Sequence, residues 1–351
     1  MYKESSGTQK PLSINGLQGM KKVYLHEKTS KTSIFFSSYL LTYVYFIADL
    51  PVIPPNAAWK ETACTVAGGR GHGKTLNRLN SPTGLCVVKN QHTLIVDSLN
   101  HRMMKFGQGY GDELEAKESI GRYNLGTLYK PYDVTWSTNE KNIIVSDWHN
   151  LQILKSSLKN AKLNTEFLNS FGCFGVAVAD DGAIYVSNTN LHEVRRYMPG
   201  DTEGKVVAGG NGQGPRLKQL NHPTYICIGK NRSIYISDSF NDRVVRWDED
   251  AEAGVVVAGG HGKGRRLDQL DNPTGIVVDS LSTVYVGDFY NGRVMRWRQG
   301  AKKGEIIAGD KHLMGNGSEK LNGPEGIAVD QDNNLYVADS NNHRVQQFEI
   351  K

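Results

Sequence analysis

With 351 residues, 38% of them hydrophobic and 22% charged, the chain has room for two average domains or one large all-β domain, and enough apolar residue for a core that needs no staple. Its 38 Gly, 11 Pro and 4 Cys exclude collagen-like, disulfide-scaffold and wholly disordered chains. The formal charge of +5 sits mostly at the front: residues 1–60 hold seven Lys against three acids, so the remainder is nearly neutral and offers nucleic acid no broad electrostatic footprint.

Residues 1–33 are polar and dotted with Lys, without hydrophobic periodicity. Residues 34–48 (IFFSSYLLTYVYFIA) then run 15 residues without a charge. As a helix this stretch spans about 22 Å, short of the roughly 30 Å of a bilayer core. It has the length of a signal-peptide apolar region, with Lys21, Lys22, Lys28 and Lys31 on its N-terminal side. It begins late, which a start at Met20 would cure, and Pro51, Pro54 and Pro55 end it without a small-x-small cleavage site. The expectation is a secreted or membrane-anchored protein that contacts a membrane only through 34–48. The alternative is a cytoplasmic protein with a β-rich or disordered extension. Two glycosylation acceptors, at Asn231 and Asn316, are compatible with the secretory route. Cys64, Cys86, Cys173 and Cys227 show no metal spacing and read as buried free thiols.

Self-similarity dominates residues 61–351. The clearest copies are LNHPTYICIGKNRSIYISDSFNDRVVRW (220–247), LDNPTGIVVDSLSTVYVGDFYNGRVMRW (270–297), LNGPEGIAVDQDNNLYVADSNNHRVQQF (321–348) and LNSPTGLCVVKNQHTLIVDSLNHRMMKF (79–106). Weaker copies span 128–155 and 171–197. An aspartate closes the second apolar run at Asp97, Asp147, Asp238, Asp288 and Asp339, with Asn188 in the third copy. Each unit holds a run after the proline, a polar turn, a second run, an Asp/Asn/Arg loop and a period-two third run. A fourth run (206–208, 255–258, 306–308) stops at Gly. Four short strands per unit, six units and no helical period predict an all-β fold, a six-bladed β-propeller of four-stranded blades. The chain ends on a third strand, and residues 62–67 are a fourth strand without a blade. The ring is therefore predicted to close by the N-terminal strand (about 62–67) pairing with the last blade, which leaves few open edges. The domain division is then 1–60, an extension containing 34–48, and 61–351, the propeller.

The pattern P-x-G-I-A-V-D…L-Y-V-A-D-x-x-N-H-R-V-Q-x-F in 324–348 resembles the NHL repeat. The resemblance covers about 290 residues and is specific in five of six units. The third departs most, with Asn188 for Asp and Glu193 where Arg243 and Arg293 stand; Gln152 replaces that Arg in the second. It implies a six-bladed propeller whose ligand contacts lie on the face of the fourth-to-first and second-to-third strand loops, hereafter the top face. Six-bladed enzymes similar to this family include the peptidyl-α-hydroxyglycine α-amidating lyase, whose zinc histidines directly follow the repeat proline. Here those positions are Thr83, Tyr132, Phe174, Thr224, Thr274 and Glu325, so no catalytic zinc, other metal or cofactor is expected.

Residues 68–75 (GGRGHGKT) satisfy the phosphate-loop spacing, but a strand pattern opened by Pro82 follows where that loop needs a helix. The stretches GGNGQGPR (209–216) and GGHGKGRR (259–266) mark it as a repeat element. The set Asp97 and Arg102, Asp238 and Arg243, Asp288 and Arg293, Asp339 and Arg344 recurs in four blades and reads as structural, because one active site needs no four copies. The residues that break the repeat are the binding candidates. They are Tyr132, Phe174 and Tyr225 at the start of innermost strands, Trp148, Phe240, Phe289 and Tyr290 beyond second strands, and Arg70, Arg216 and Arg265 on the rim.

The reading is a monomeric, non-catalytic recognition or scaffold propeller that binds a protein, peptide or glycan through its top face. A metal-dependent lyase or lactonase-like hydrolase is the first alternative. Single-stranded RNA binding, as in the propellers of tripartite-motif ubiquitin ligases, is the second; the neutral body weighs against nucleic acid.

Overall fold

In the computed structural model, residues 50–88, 92–107, 116–120, 128–137, 142–157, 172–309 and 313–351 are described; the segment 34–48 and the lysines before it lie outside them. Each repeat folds as its apolar runs dictate. Second strands such as Ile234–Asp238, Val284–Asp288 and Leu335–Asp339 are buried at every position, so they carry continuous Val, Ile and Tyr runs. Outermost strands such as Lys205–Gly209 and Val255–Gly259 begin exposed and become buried only at their Ala-Gly ends.

The strands assemble into six antiparallel sheets. Five have four strands. The second contributes Val134–Ser137, Asn142–Asp147 and Gln152–Ser157, and the stretch after it lies outside the described residues. Six apolar clusters each straddle two successive blades; Tyr235 and Val244 of blade 4, for example, pack with Val284, Val286 and Trp297 of blade 5. The core is thus a ring of blade interfaces around an axial channel.

The glycine of the P-x-G motif has a steric origin. A Cβ on Gly275 would lie 2.6 Å from the Glu325 carbonyl, and one on Gly326 2.6 Å from the Thr83 carbonyl, because innermost strands of neighbouring blades nearly touch. Blades 2 and 4 carry Asp133 and Tyr225 at this position instead.

Ring closure follows the expected route. Cys64–Gly68 runs antiparallel to Arg344–Phe348, pairing Cys64 with Gln347 and Gly68 with Arg344. The sequence missed the stretch before it. Residues 51–60, assigned to the extension, pack against blades 5 and 6: Ile53, Ala57 and Trp59 are buried beside Tyr285, Phe348 and Leu335. Trp59 Nε1 donates to the Asn333 carbonyl at 2.9 Å, and the indole meets Tyr285 edge-on at 5.9 Å. Arg296 donates to the Ala57 carbonyl at 2.8 Å. One thiol also departs from expectation: Cys64, on the outermost closing strand, is exposed, whereas Cys173 is buried and Cys86 and Cys227 are partly so.

The repeated Asp–Arg set is a clamp. Arg293 Nε donates to Asp288 Oδ2 at 2.7 Å, and its other nitrogens donate to the carbonyls of Arg265, Arg266 and Gln269 in the loop entering the blade. Asp288 Oδ1 accepts the Asp271 amide at 2.7 Å, and Asn291 donates both to Asp288 and to the Gly264 carbonyl. The same geometry recurs around Asp97 and Arg102, Asp238 and Arg243, and Asp339 and Arg344. In blade 2 Gln152 keeps the bond to Asp147 at 2.8 Å without the charge. In blade 3 Glu193 instead pairs with Arg195 at 2.5 Å.

Two outcomes test this architecture. Arg293→Ala leaves a buried carboxylate unpaired and is expected to cost about 3–5 kcal/mol in urea unfolding; a loss below ~1 kcal/mol would show the clamp to be dispensable. Trp59→Ala is expected to cost a similar ~3–5 kcal/mol, and an unchanged melt would mean residues 51–60 only rest on the ring.

Candidate functional site

The loops that carry the candidate rim residues are first of all structural. Lys74 and Thr75 turn their carbonyls to Arg102, and the strand Pro82–Val88 follows, so 68–75 is a clamped strand connection without the helix a phosphate loop needs. Arg70, Arg216 and Arg265 project from these loops with exposed side chains, Arg265 touching the Asn291 carbonyl at 3.4 Å.

Most of the aromatic candidates come together. Tyr132 and Phe174 pack with their rings tilted by 39° and centroids 3.5 Å apart, and Tyr225 lies 5.8 Å from Tyr132. Trp148 reaches across the blade 2–3 junction to Phe174 at 5.8 Å. From these rings an arc extends both ways. On one side run His149, Tyr129 and His101, the last two stacked at 4.8 Å; on the other run His222 and Phe240, stacked at 4.3 Å. The arc spans blades 1 to 4. Phe289 and Tyr290 stand apart on blade 5, 5.0 Å from one another, with the Lys263 ammonium 5.3 Å from the Tyr290 ring.

Their exposure divides them. Phe240 and Tyr290 are the open ones, at 59% and 53%. Tyr132, Trp148 and Phe289 are half-buried. Phe174 and Tyr225 are buried, because Trp148 and Tyr132 cover them; they support the surface and do not form it. Sequence reading missed Tyr129, His101, His149 and His222. The available signal was their position, in the strand connections beside the repeat proline and the Asp-closing turn.

Below the arc lies a feature that no repeat position predicts. Glu325 of blade 6 accepts hydrogen bonds from Tyr132 of blade 2 at 3.0 and 3.1 Å and from Tyr225 of blade 4 at 3.1 Å, bridging the axis. Burial, with a smaller contribution from Asp133, pushes the Glu325 carboxyl up to about 7 against the pull of the two hydroxyls. Burial likewise raises Asp133 to about 7, although the Val134 and Val176 amides donate to it at 2.9 and 3.0 Å. Both tyrosines are raised well above the ordinary value, burial first and Glu325 second. Asp133 and Tyr225 also line an axial cavity of about 540 Å³ whose walls are the innermost strands of all six blades.

The post-proline positions do not fit the lyase's zinc. Thr83 and Thr274 donate to carbonyls of the next blade, Thr224 pairs with Ser239, and Glu325 is the single ionisable carboxylate of the six. Among the described residues no three His, Cys, Asp or Glu side chains converge as metal ligands.

A family model for the NHL repeat matches residues 321–348, the last repeat of the ring. With six blades of one plan, that match decides the class. This is an NHL-repeat β-propeller. No curated protein matches the chain. Solved structures share its fold. An auxiliary nutrient binding protein from Bacteroides thetaiotaomicron is similar at 15% identity and TM-score 0.66, covering 84% of this chain and 77% of its own. A virginiamycin B lyase from Staphylococcus aureus is similar at 14% and 0.54, covering 80% and 98%. A gluconolactonase from Xanthomonas campestris is similar at 13% and 0.58, covering 86% and 95%. At these identities the NHL-repeat propeller shares architecture with all three, and function must be argued from its own side chains.

The bridge across the axis has a pH signature. The folded protein keeps a proton on Glu325 up to about pH 7, the unfolded chain only to about 4.5. The folded state therefore binds more protons in that window, and Glu325 makes stability fall as pH rises through it. Glu325→Gln keeps an acceptor for the tyrosines and is expected to flatten the decline; melts whose pH dependence matches the wild type would remove the bridge from the account.

Proposed function

We propose that the protein is a recognition propeller that holds a protein, peptide or glycan ligand on its top face. The observation that carries this reading is the aromatic arc over blades 1 to 4, with Tyr290 beyond it. Phe240 and Tyr290 keep large apolar areas in water where blades 1 and 6 place Leu99 and Asn341, so the repeat does not require them. Rings of this kind supply broad contact area at low entropic cost, and the rim arginines add orientation. The nutrient-binding name of one structural neighbour is in keeping with a binding role. Delivery outside the cytoplasm through residues 34–48 is part of the same proposal.

The test is capture on arrays of glycans and of displayed peptides by the wild type and by Phe240→Ala with Tyr290→Ala. Both side chains are exposed, so the melt is expected to hold while capture falls at least about tenfold. Capture that survives the double substitution moves the site off this face.

A second reading, a lyase or lactone hydrolase, is favoured by one observation: Glu325 and Asp133 are carboxyls brought close to 7 beside two phenols, the setting of general acid–base chemistry. The names of the lyase and gluconolactonase neighbours agree with it. Turnover of a lactone or cyclic depsipeptide that Glu325→Gln abolishes would establish it over simple recognition.

A further inference from the structure

The blade junctions share a joint that the repeat pattern does not announce. After the short turn beyond each second strand comes a residue in the left-handed region: His101, Leu151, His192, Asp242, Gly292 and His343. Before each innermost strand comes another: Ser81, Lys130, Gly172, His222, Asn272 and Gly323. At four junctions the first side chain accepts the backbone N–H of the second, across the gap between blades. His101 Nδ1 accepts from Lys130 at 3.0 Å, His192 Nδ1 from His222 at 3.1 Å, and His343 Nδ1 from Ser81 at 3.1 Å. Asp242 Oδ1 accepts from Asn272 at 3.0 Å. Leu151 and Gly292 have no acceptor to offer. The His343 joint fastens the last blade to the first, beside a Ser81–Ser340 hydroxyl contact at 3.1 Å.

A backbone N–H can donate only to a ring nitrogen that holds a lone pair. The bond therefore requires a neutral imidazole with its proton on Nε2. A second proton on Nδ1 would set donor against donor and leave the amide of the next blade unmatched.

We propose that His101 and His343 are pH-operated joints between blades, closed at neutral pH and released in acid at two of the six junctions, the ring seam included. The surroundings favour the neutral form. His101 faces Lys74, Lys130 and His149, with Asp147 opposing; His343 faces His72, with Asp97 and Asp339 opposing. Burial comes first in holding His101 and His343 below the ordinary 6.5. A depressed folded value means that these joints contribute in full above about 6.5 and are lost as pH falls through the lowered value. The buried carboxyls Glu325, Asp133 and Asp288, all raised, act in the opposite direction, so a bulk melt mixes two signs. Amide exchange at the joints separates them.

The experiment is hydrogen exchange on the full chain, read by NMR at about pH 7.5 and about pH 5 and corrected for intrinsic rates. Protection of the Ser81 and Lys130 amides is expected to fall about tenfold in acid relative to that of Gly84. The Gly84 amide also crosses a blade junction, at 2.8 Å, but its acceptor is the Tyr132 carbonyl, which does not titrate, so this amide is the internal reference. A combined His101→Asn and His343→Asn variant supplies an acceptor that does not titrate, in a residue that tolerates the left-handed region. Its two amides should lose the acid effect, and its melt should exceed that of the wild type at pH 5 by more than at pH 7.5. Amides that track Gly84 at both pH values, or an acid loss that persists in the asparagine variant, would overturn the proposal.

Discussion

A carboxylate with no access to water must be matched on every side, and that demand organises the ring. Asp288 is fully enclosed, and burial brings its carboxyl up to about 6 even with Arg293 in contact. It takes one guanidinium nitrogen, one side-chain amide and one backbone amide, and the remaining guanidinium nitrogens gather three loop carbonyls. One charged group thus fixes the end of the second strand, the start of the third and the whole connection from the previous blade. Alone, such a buried pair adds little net stability over an apolar filler. What it supplies is placement: the loop that forms the top face can lie in one way only.

Where this clamp weakens, the surface changes character. Blade 2 has Gln152 in place of the arginine, and blade 3 has neither partner of the pair. These are the blades whose post-proline positions hold Tyr132 and Phe174, and at whose junction Trp148 packs on Phe174. Aromatic packing takes over there from charge clamping and supports one part of the candidate surface, whose most exposed rings, Phe240 and Tyr290, stand on the fully clamped blades 4 and 5.

Much of the fold was legible because a repeat states each rule several times. The proline, the glycine two residues later and the Asp-closed strand recur, and each has a local cause: a strand start, a backbone contact too close for a Cβ, a buried clamp. The closing strand was legible because a fourth strand without a blade stands at the front of a ring that lacks one at its end. Residues 51–60 were not, since Trp59 packs on Tyr285 and Asn333 more than two hundred residues away and no periodicity links them. The same holds for the site. The aromatic positions stood out as exceptions to the repeat, but which of them are covered is set by neighbours from other blades. Glu325 looked like one more variable post-proline residue, and its two partners come from blades not adjacent to its own.

That last arrangement has a mechanical meaning. In a ring of repeats each blade normally communicates only with the next, so strain at one junction can be absorbed there. Glu325 ties blade 6 directly to blades 2 and 4 through the two phenol hydroxyls, and the three anchor points alternate around the axis. It works as a cross-brace inside a hoop. A hoop without one can go out of round by opening a single seam, whereas a braced one distributes any opening over three alternate blades at once. The NHL-repeat propeller therefore behaves less like a closed row of six modules than like one rigid frame, and its top face inherits that stiffness.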